Sequence, residues 1–135
     1  MQLLDSYPII VTERLTGCRD FYARWFGFEV AFEATWFVLL VNGSTSLAFM
    51  SPDHPSSPPT PATYTGDGMF LTLQVEDAAA EYDRLSTAGL SFDLPLTDEP
   101  WGQRRFGVVD PAGMWIDVVQ QIEPAPGWWE PYIPA

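Results

Sequence analysis

Residues 98–120 read DEPWGQRRFGVVDPAGMWIDVVQ, and this stretch contains two apolar runs separated by a turn. RRFGVVD and MWIDVVQ are rich in the β-branched and aromatic residues that favour strands. The residues DPAG at 110–113 combine an aspartate, a proline and a glycine, which is typical of a tight turn. The stretch therefore predicts two strands joined as a hairpin.

The residues before this hairpin complete a unit of four strands and one helix. FLTLQVE at 70–76 alternates apolar and polar residues as a half-buried strand does. DAAAEYDRLSTAG at 77–89 predicts a helix that Asp77 caps and Gly89 ends, and LSFDLPL at 90–96 predicts the next strand. The predicted order is one strand, one helix and three strands.

The first half of the chain repeats that order. Residues 6–12 predict a strand, and LTGCRDFYARWF at 15–26 predicts a helix because its apolar residues recur at three- and four-residue steps. Thr16 is the expected cap of this helix, and Gly27 is its expected end. FEVAFEA, TWFVLLV and STSLAFM predict three strands, and the pair Asn42 and Gly43 between the last two is a strong hairpin signal.

Two copies of one unit indicate an internal duplication. A unit of this size exposes one apolar sheet face, so two copies have to combine to bury it. We expect a single domain over residues 1–135, with module one at about 4–52, a proline-rich linker at 53–67, module two at about 68–122 and an aromatic tail at 123–135. The tail is expected to be extended and to pack on a partner subunit or close a cleft.

The charge of the chain limits its partners. It has six arginines, no lysine and 18 acidic residues, which give a net charge of -12. Nucleic-acid binding is not expected because it needs a basic surface, and the missing lysine excludes Schiff-base chemistry. An acidic field favours cationic ligands, although a solubilising surface is the preferred explanation of the acids.

The expected location is the cytoplasm. No apolar run approaches the roughly 18 residues that a membrane span needs, and the start MQLLDSYPII lacks a basic segment typical of a signal peptide. A single cysteine, Cys18, fits a reducing compartment.

Three motifs in order resemble the vicinal oxygen chelate superfamily, the glyoxalase/bleomycin-resistance/dioxygenase type. They are FYARWFGFEV at 21–30, VEDAAAEYDRLSTAG at 75–89 and the opening stretch at 98–120. The resemblance implies an α+β fold in which two tandem βαβββ modules form a cup-shaped mixed sheet with the helices on the outside. It also implies a ligand in the cup and a homodimer.

Many members of that superfamily chelate a divalent metal, whereas bleomycin-resistance-type members bind a drug without one. The resemblance places the four ligand positions at Ser6, Leu47, Phe70 and Asp117, where imidazole, carboxamide or carboxylate donors are usual. Here only Asp117 carries such a donor, and a shift by one residue does not restore the others. No metal and no other cofactor are therefore expected.

Nucleophilic catalysis is not expected either. His54 lies in the proline-rich linker and is expected to be exposed to solvent. Cys18 lies on the apolar face of the first helix, which predicts a buried core thiol rather than a nucleophile.

The expected ligand site lies on the sheet face opposite the helices. Strand alternation and the resemblance together place eight side chains there or at its rim. They are Leu47, Phe49, Phe70, Thr72, Trp115 and Asp117 in the cup, with Trp101 and Arg104 at its mouth. Arg105 is expected to pair with surface acids. An unpaired, buried Asp117 would have a raised pKa and could act as a general base, but the same aromatic residues could instead fill the cup.

These residues predict a metal-free protein that binds or sequesters an aromatic metabolite or antibiotic, with a cationic one favoured by the acidic field. The alternative is a superfamily enzyme, a lyase, isomerase or epimerase, that uses Asp117 as a general base or metal ligand. A dimeric scaffold with a filled cup is the third reading. The sequence leaves the three open.

Overall fold

The computed structural model describes residues 1–55 and 62–134, and these fold into two compact units. Unit one comprises Met1–Asp67 together with Asp110–Gly113, and unit two comprises Gly68–Val109 together with Met114–Ala135. Residues 56–61 of the predicted linker lie outside the described residues.

Unit one contains one helix and a four-stranded sheet. Its elements in chain order are β1 Ile9–Val11, α1 Leu15–Phe26, β2 Glu29–Glu33, β3 Phe37–Asn42 and β4 Thr45–Met50. The strands lie in the order β1-β4-β3-β2, with β1 parallel to β4 and the other pairs antiparallel.

Unit two repeats this arrangement with the strand order β5-β8-β7-β6, in which β5 is parallel to β8. Its elements are β5 Leu71–Gln74, α2 Ala78–Thr87, β6 Leu94–Glu99, β7 Gln103–Val109 and β8 Trp115–Gln121, followed by the 3-10 helix Glu130–Tyr132. The α+β class and the two tandem βαβββ modules are therefore confirmed, and each sheet is mixed.

The helix ends follow from local chemistry. Gly27 ends α1 in the left-handed conformation with φ 69°, and the Asp77 side chain accepts a hydrogen bond from Ala80 N at 3.0 Å as the cap of α2. Both predictions are confirmed. The prediction that Thr16 caps α1 is wrong, because the helix begins at Leu15 and Thr16 lies inside its first turn.

The strand predicted at 90–96 is observed as β6 at Leu94–Glu99, so it begins four residues later and ends three residues later than predicted. Residues 90–93 form the connection from α2, and the Asp93 side chain accepts a hydrogen bond from Val109 N at 2.9 Å. Among the described residues, no helix has both the length and the apolar character needed to cross a membrane.

The core of unit one is built around Tyr22. Its ring lies 5.3 Å from that of Phe49 and 5.6 Å from that of Phe28, between centroids, and the side chain is fully buried. The Tyr22 hydroxyl donates a 2.7 Å hydrogen bond to Asp110 Oδ2, so the buried polar group is satisfied. Cys18, one turn earlier in α1, is also fully buried, as predicted.

Burial, together with the charge of Asp110, raises the pKa of the Cys18 thiol from 9.0 to about 12. Burial and the same carboxylate raise the pKa of Tyr22. Both groups therefore stay neutral in the folded protein at alkaline pH values at which they ionise in the unfolded chain.

We expect the free energy of unfolding to fall as the pH rises above 9. Above that pH the unfolded thiol loses a proton that the folded one keeps, which gives a slope of about 1.4 kcal/mol per pH unit. Urea unfolding between about pH 8 and 10 measures the slope before most tyrosines ionise. Cys18→Ala should reduce the slope even if it lowers stability at every pH. An unchanged slope in that variant contradicts the assignment.

Candidate functional site

Strand pairing in unit two separates the sheet into two faces. Phe106 lies on the helix-facing side, since its ring is 5.4 Å from that of Tyr82 on α2. Gly107, the next residue, is paired with Asp117, and Asp117 is paired with Thr72 on β5. The opposite side includes six residues that we name the charged face, namely Thr72, Glu99, Arg105, Gly107, Trp115 and Asp117.

Arg105 lies between two carboxylates at the centre of the charged face. Its Nη2 and Nε bond to Glu99 Oε2 at 2.6 and 2.9 Å, and its Nη1 bonds to both oxygens of Asp117 at 3.2 Å. The side chains of Arg105, Glu99 and Asp117 are 21%, 16% and 6% exposed. Burial would lower the pKa of Arg105, but hydrogen bonds and charge from Glu99 and Asp117 raise it.

This pairing corrects two expectations. Asp117 is buried, as predicted, but it is bonded to Arg105 and so is not the unpaired carboxylate that the general-base hypothesis requires. Arg105 was expected to pair with surface acids, and one of its two partners is instead buried inside the protein.

The Trp115 ring lies next to Gly107 of the neighbouring strand β7. Its indole Nε1–H donates a hydrogen bond to Asp117 Oδ1. A Cβ added at Gly107 would lie 2.2 Å from Trp115 Cζ2 and 2.7 Å from Cη2, closer than any van der Waals contact. Gly107 therefore provides the space that the indole occupies, and the ring is fixed by a hydrogen bond on one edge and backbone beneath it.

Trp101 contributes a second indole from the turn between β6 and β7. Its Nε1–H donates to Gln103 Oε1 at 2.8 Å, and its ring centroid lies 5.3 Å from Arg105 Cζ. That distance is within the range of a cation–π interaction.

The structure brings together four of the predicted site residues, namely Thr72, Trp101, Trp115 and Asp117. Phe70 immediately precedes β5 and is 58% exposed. Arg104 was placed at the mouth of the site, and this is wrong. It is paired with Gln120 on the helix-facing side and bonds to the exposed Asp98 at 2.7 and 3.1 Å.

Leu47 and Phe49 were also assigned to the wrong face. Phe49 contacts Tyr22 of α1, and Leu47, two residues away on β4, shares that helix-facing side of unit one. Both are buried, at 1% and 0% exposure. A shift of one residue exchanges every side chain between the two faces of a strand, which explains the error.

Arg105 and Glu99 belong to the site although the sequence patterns did not predict them there. The DPAG turn held the information needed to place Arg105. Residues at equal distances before and after Ala112 are paired, so Gly107 pairs with Asp117 and Arg105 pairs with Val119. Period-two alternation then places Arg105 on the same face as Asp117.

Two expectations about loops are corrected as well. His54 is buried, with 9% of its surface exposed, although it was expected to face solvent. The tail was expected to be extended, but it turns into the 3-10 helix Glu130–Tyr132, and Trp129 Nε1–H donates to Trp101 O at 2.7 Å within unit two.

A cavity of about 360 Å³ lies on unit one between the first turn of α1 and the connection from β2 to β3. Its charged side chains, Arg19 and Glu33, bond to each other at 3.0 and 3.1 Å. The described lining of this cavity includes no aromatic side chain on which a planar ligand could stack, so the cavity is a weaker candidate than the charged face.

The residues present do not fit a divalent metal. Leu47 and Phe70 carry no donor atom, and both Asp117 oxygens already accept hydrogen bonds from Arg105. Across residues 1–55 and 62–134, no cluster of three or more histidine, cysteine, aspartate or glutamate side chains could hold a metal ion.

Comparison with known proteins identifies the fold family. The sequence model of one protein family, the Glyoxalase/Bleomycin resistance protein/Dioxygenase superfamily, matches residues 6–118. No curated protein matches the chain. Many solved structures match the chain, and three of them illustrate the range of proteins that share its fold.

A glyoxalase/bleomycin resistance protein/dioxygenase from Nocardioides is 20% identical, with a TM-score of 0.74 over 94% of this chain and 89% of that one. TioX from Micromonospora sp. ML1 is 20% identical, with a TM-score of 0.65 over 87% and 98%. Lactoylglutathione lyase from Agrobacterium tumefaciens is 20% identical, with a TM-score of 0.66 over 84% and 90%. At this identity the likeness shows the fold alone.

Arg105→Met should destabilise the protein strongly. It leaves Glu99 and Asp117, whose side chains are 16% and 6% exposed, without their counter-charge. Removing one partner of such a buried pair costs about 3–5 kcal/mol, measurable by urea unfolding. Arg104→Met is the matched control, since its pair with Asp98 is exposed and screened by water. Equal effects of the two substitutions contradict the central role of Arg105.

Titration of the purified protein with Zn²⁺, Ni²⁺, Mn²⁺ and Fe²⁺ should show no tight stoichiometric binding by calorimetry. The reason is the donor set, in which the one retained carboxylate, Asp117, is already bonded to Arg105. Tight binding at one ion per chain contradicts this expectation and would restore the metal-enzyme hypothesis.

Proposed function

We propose a binding function for this chain, because it belongs to the glyoxalase/bleomycin resistance protein/dioxygenase superfamily and carries an aromatic, charged surface in place of a metal site. It binds a small planar aromatic ligand on the charged face of unit two, without a metal. A cationic ligand is preferred over an anionic one.

The main support for this function is the fixed position of the Trp115 ring. This ring lies against Gly107 and is bonded to Asp117, which is itself held by Arg105. A ligand that stacks on this ring does not have to immobilise it first, so less conformational entropy is lost on binding. Offset stacking on an indole favours planar aromatic ligands.

The charges around the indole determine which ligand is favoured. Glu99 and Asp117 together carry two negative charges against the single positive charge of Arg105. The whole chain has a net charge of -12, which adds a long-range attraction for cations. Thr72, in register with Asp117, offers a hydroxyl for hydrogen bonding.

The pairing of Asp117 also favours binding over proton transfer. A general base needs a lone pair that reaches the substrate, and the Asp117 oxygens already accept bonds from Arg105 and Trp115. The similar folds include both TioX and a lactoylglutathione lyase, so fold likeness does not choose between the classes. The homodimer implied by the resemblance stays a prediction.

Two planar probes of opposite charge test the proposal, namely 9-aminoacridine as the cation and acridine-9-carboxylate as the anion. We expect calorimetry and tryptophan fluorescence to show binding of the cation at least about tenfold tighter than the anion. Gly107→Ala should weaken binding of the cation by about tenfold or more, since its added methyl group requires the Trp115 ring to move.

Arg104→Met, on the opposite face of the same strand, is the control and should bind like the unmodified protein. Failure to bind either acridine contradicts the proposed function. Equal binding by Gly107→Ala contradicts the assignment of the site to Trp115, and equal binding of the two probes contradicts the charge preference.

A further inference from the structure

Residues 122–133, which we name the aromatic segment, pack against the turn that contains Trp101 and form hydrogen bonds with it. Ile122 N–H donates to Gly102 O at 2.9 Å, and Ala125 N–H donates to Pro100 O at 2.8 Å. Gly102 has φ 108°, and a Cβ there would lie 2.9 Å from Ile122 O. The turn and the segment therefore fit together so closely that the position requires glycine.

Aromatic rings extend this contact. The Trp128 ring lies 5.9 Å from the Trp101 ring and 5.3 Å from that of Tyr132, between centroids. Trp129 Nε1–H donates to Trp101 O at 2.7 Å. The segment thus holds both the backbone and the side chain of Trp101.

The far end of the segment adds little to the core. Trp129, Tyr132 and Ile133 are 44%, 66% and 62% exposed. Its specific contacts are concentrated on the turn at 100–102, and Trp101 in turn contacts Arg105 of the charged face. Trp101 therefore connects the aromatic segment to the centre of the proposed ligand site.

We propose that the aromatic segment is a positioning element of the charged face. It fixes Trp101 against the Arg105 guanidinium, so that two indoles, those of Trp101 and Trp115, are in place before a ligand arrives. The positioning of Trp101 is a property of the free protein, whereas its effect on affinity rests on the proposed function.

Trp128→Ala and Trp129→Phe remove the ring contact and the indole hydrogen bond respectively. In the free protein, hydrogen exchange of the Trp101 indole N–H, followed by NMR, should accelerate several-fold, while that of Trp115 changes less. The Kd of 9-aminoacridine should rise about 2- to 10-fold, as expected for one lost hydrogen bond or ring contact. Trp128→Phe keeps an aromatic ring and should restore most of the affinity.

Ile133→Ala is the control within the segment, because Ile133 is 62% exposed. Unchanged Trp101 exchange and unchanged Kd in both tryptophan variants overturn the proposal. If the unmodified protein fails to bind 9-aminoacridine, the proposed function fails, and the exchange measurement still decides the positioning role. If Trp128→Ala fails to fold, Trp129→Phe, which loses only the indole N–H, decides it.

Discussion

The pairing of β7 with β8 determines which side chains meet on the charged face. It sets Gly107 opposite Asp117 and Val109 opposite Trp115, so the large indole next to Val109 can lie over the residue that has no side chain. The same register places Arg105 beside Asp117 instead of on the helix-facing side. A slip of β7 by one residue would turn Arg105 toward α2 and separate it from Asp117, which would stay on the opposite face.

The ion pairs of Arg105 make the charged face rigid at an energetic cost. Two carboxylates and a guanidinium lose water when they are partly buried, and mutual attraction has to offset that loss. The arrangement is therefore better explained by specificity than by stability, because each charge fixes the orientation of the next. Glu99 fixes Arg105, Arg105 fixes Asp117, and Asp117 fixes the Trp115 indole.

Local patterns predicted the elements of the fold, but they predicted the site only in part. The period of apolar residues predicted α1, and Asp77 and Gly27 marked helix ends, although the cap of α1 was misplaced at Thr16. The faces of β4 could not be assigned by alternation, because Leu47, Ala48, Phe49 and Met50 are all buried and apolar. Arg104 and Arg105 are chemically identical, so only the strand register, a long-range property, tells the surface arginine from the central one.

The hydrogen bond between Tyr22 and Asp110 limits how the two repeats can be separated from each other. Asp110–Gly113 comes from the turn between β7 and β8, yet it belongs to unit one, where Asp110 accepts the buried phenol proton. A gene fragment that encodes residues 1–67 alone would leave that hydroxyl without its acceptor. The two repeats are therefore similar in topology but no longer interchangeable as parts, and recombination at their boundary would produce an incomplete first half.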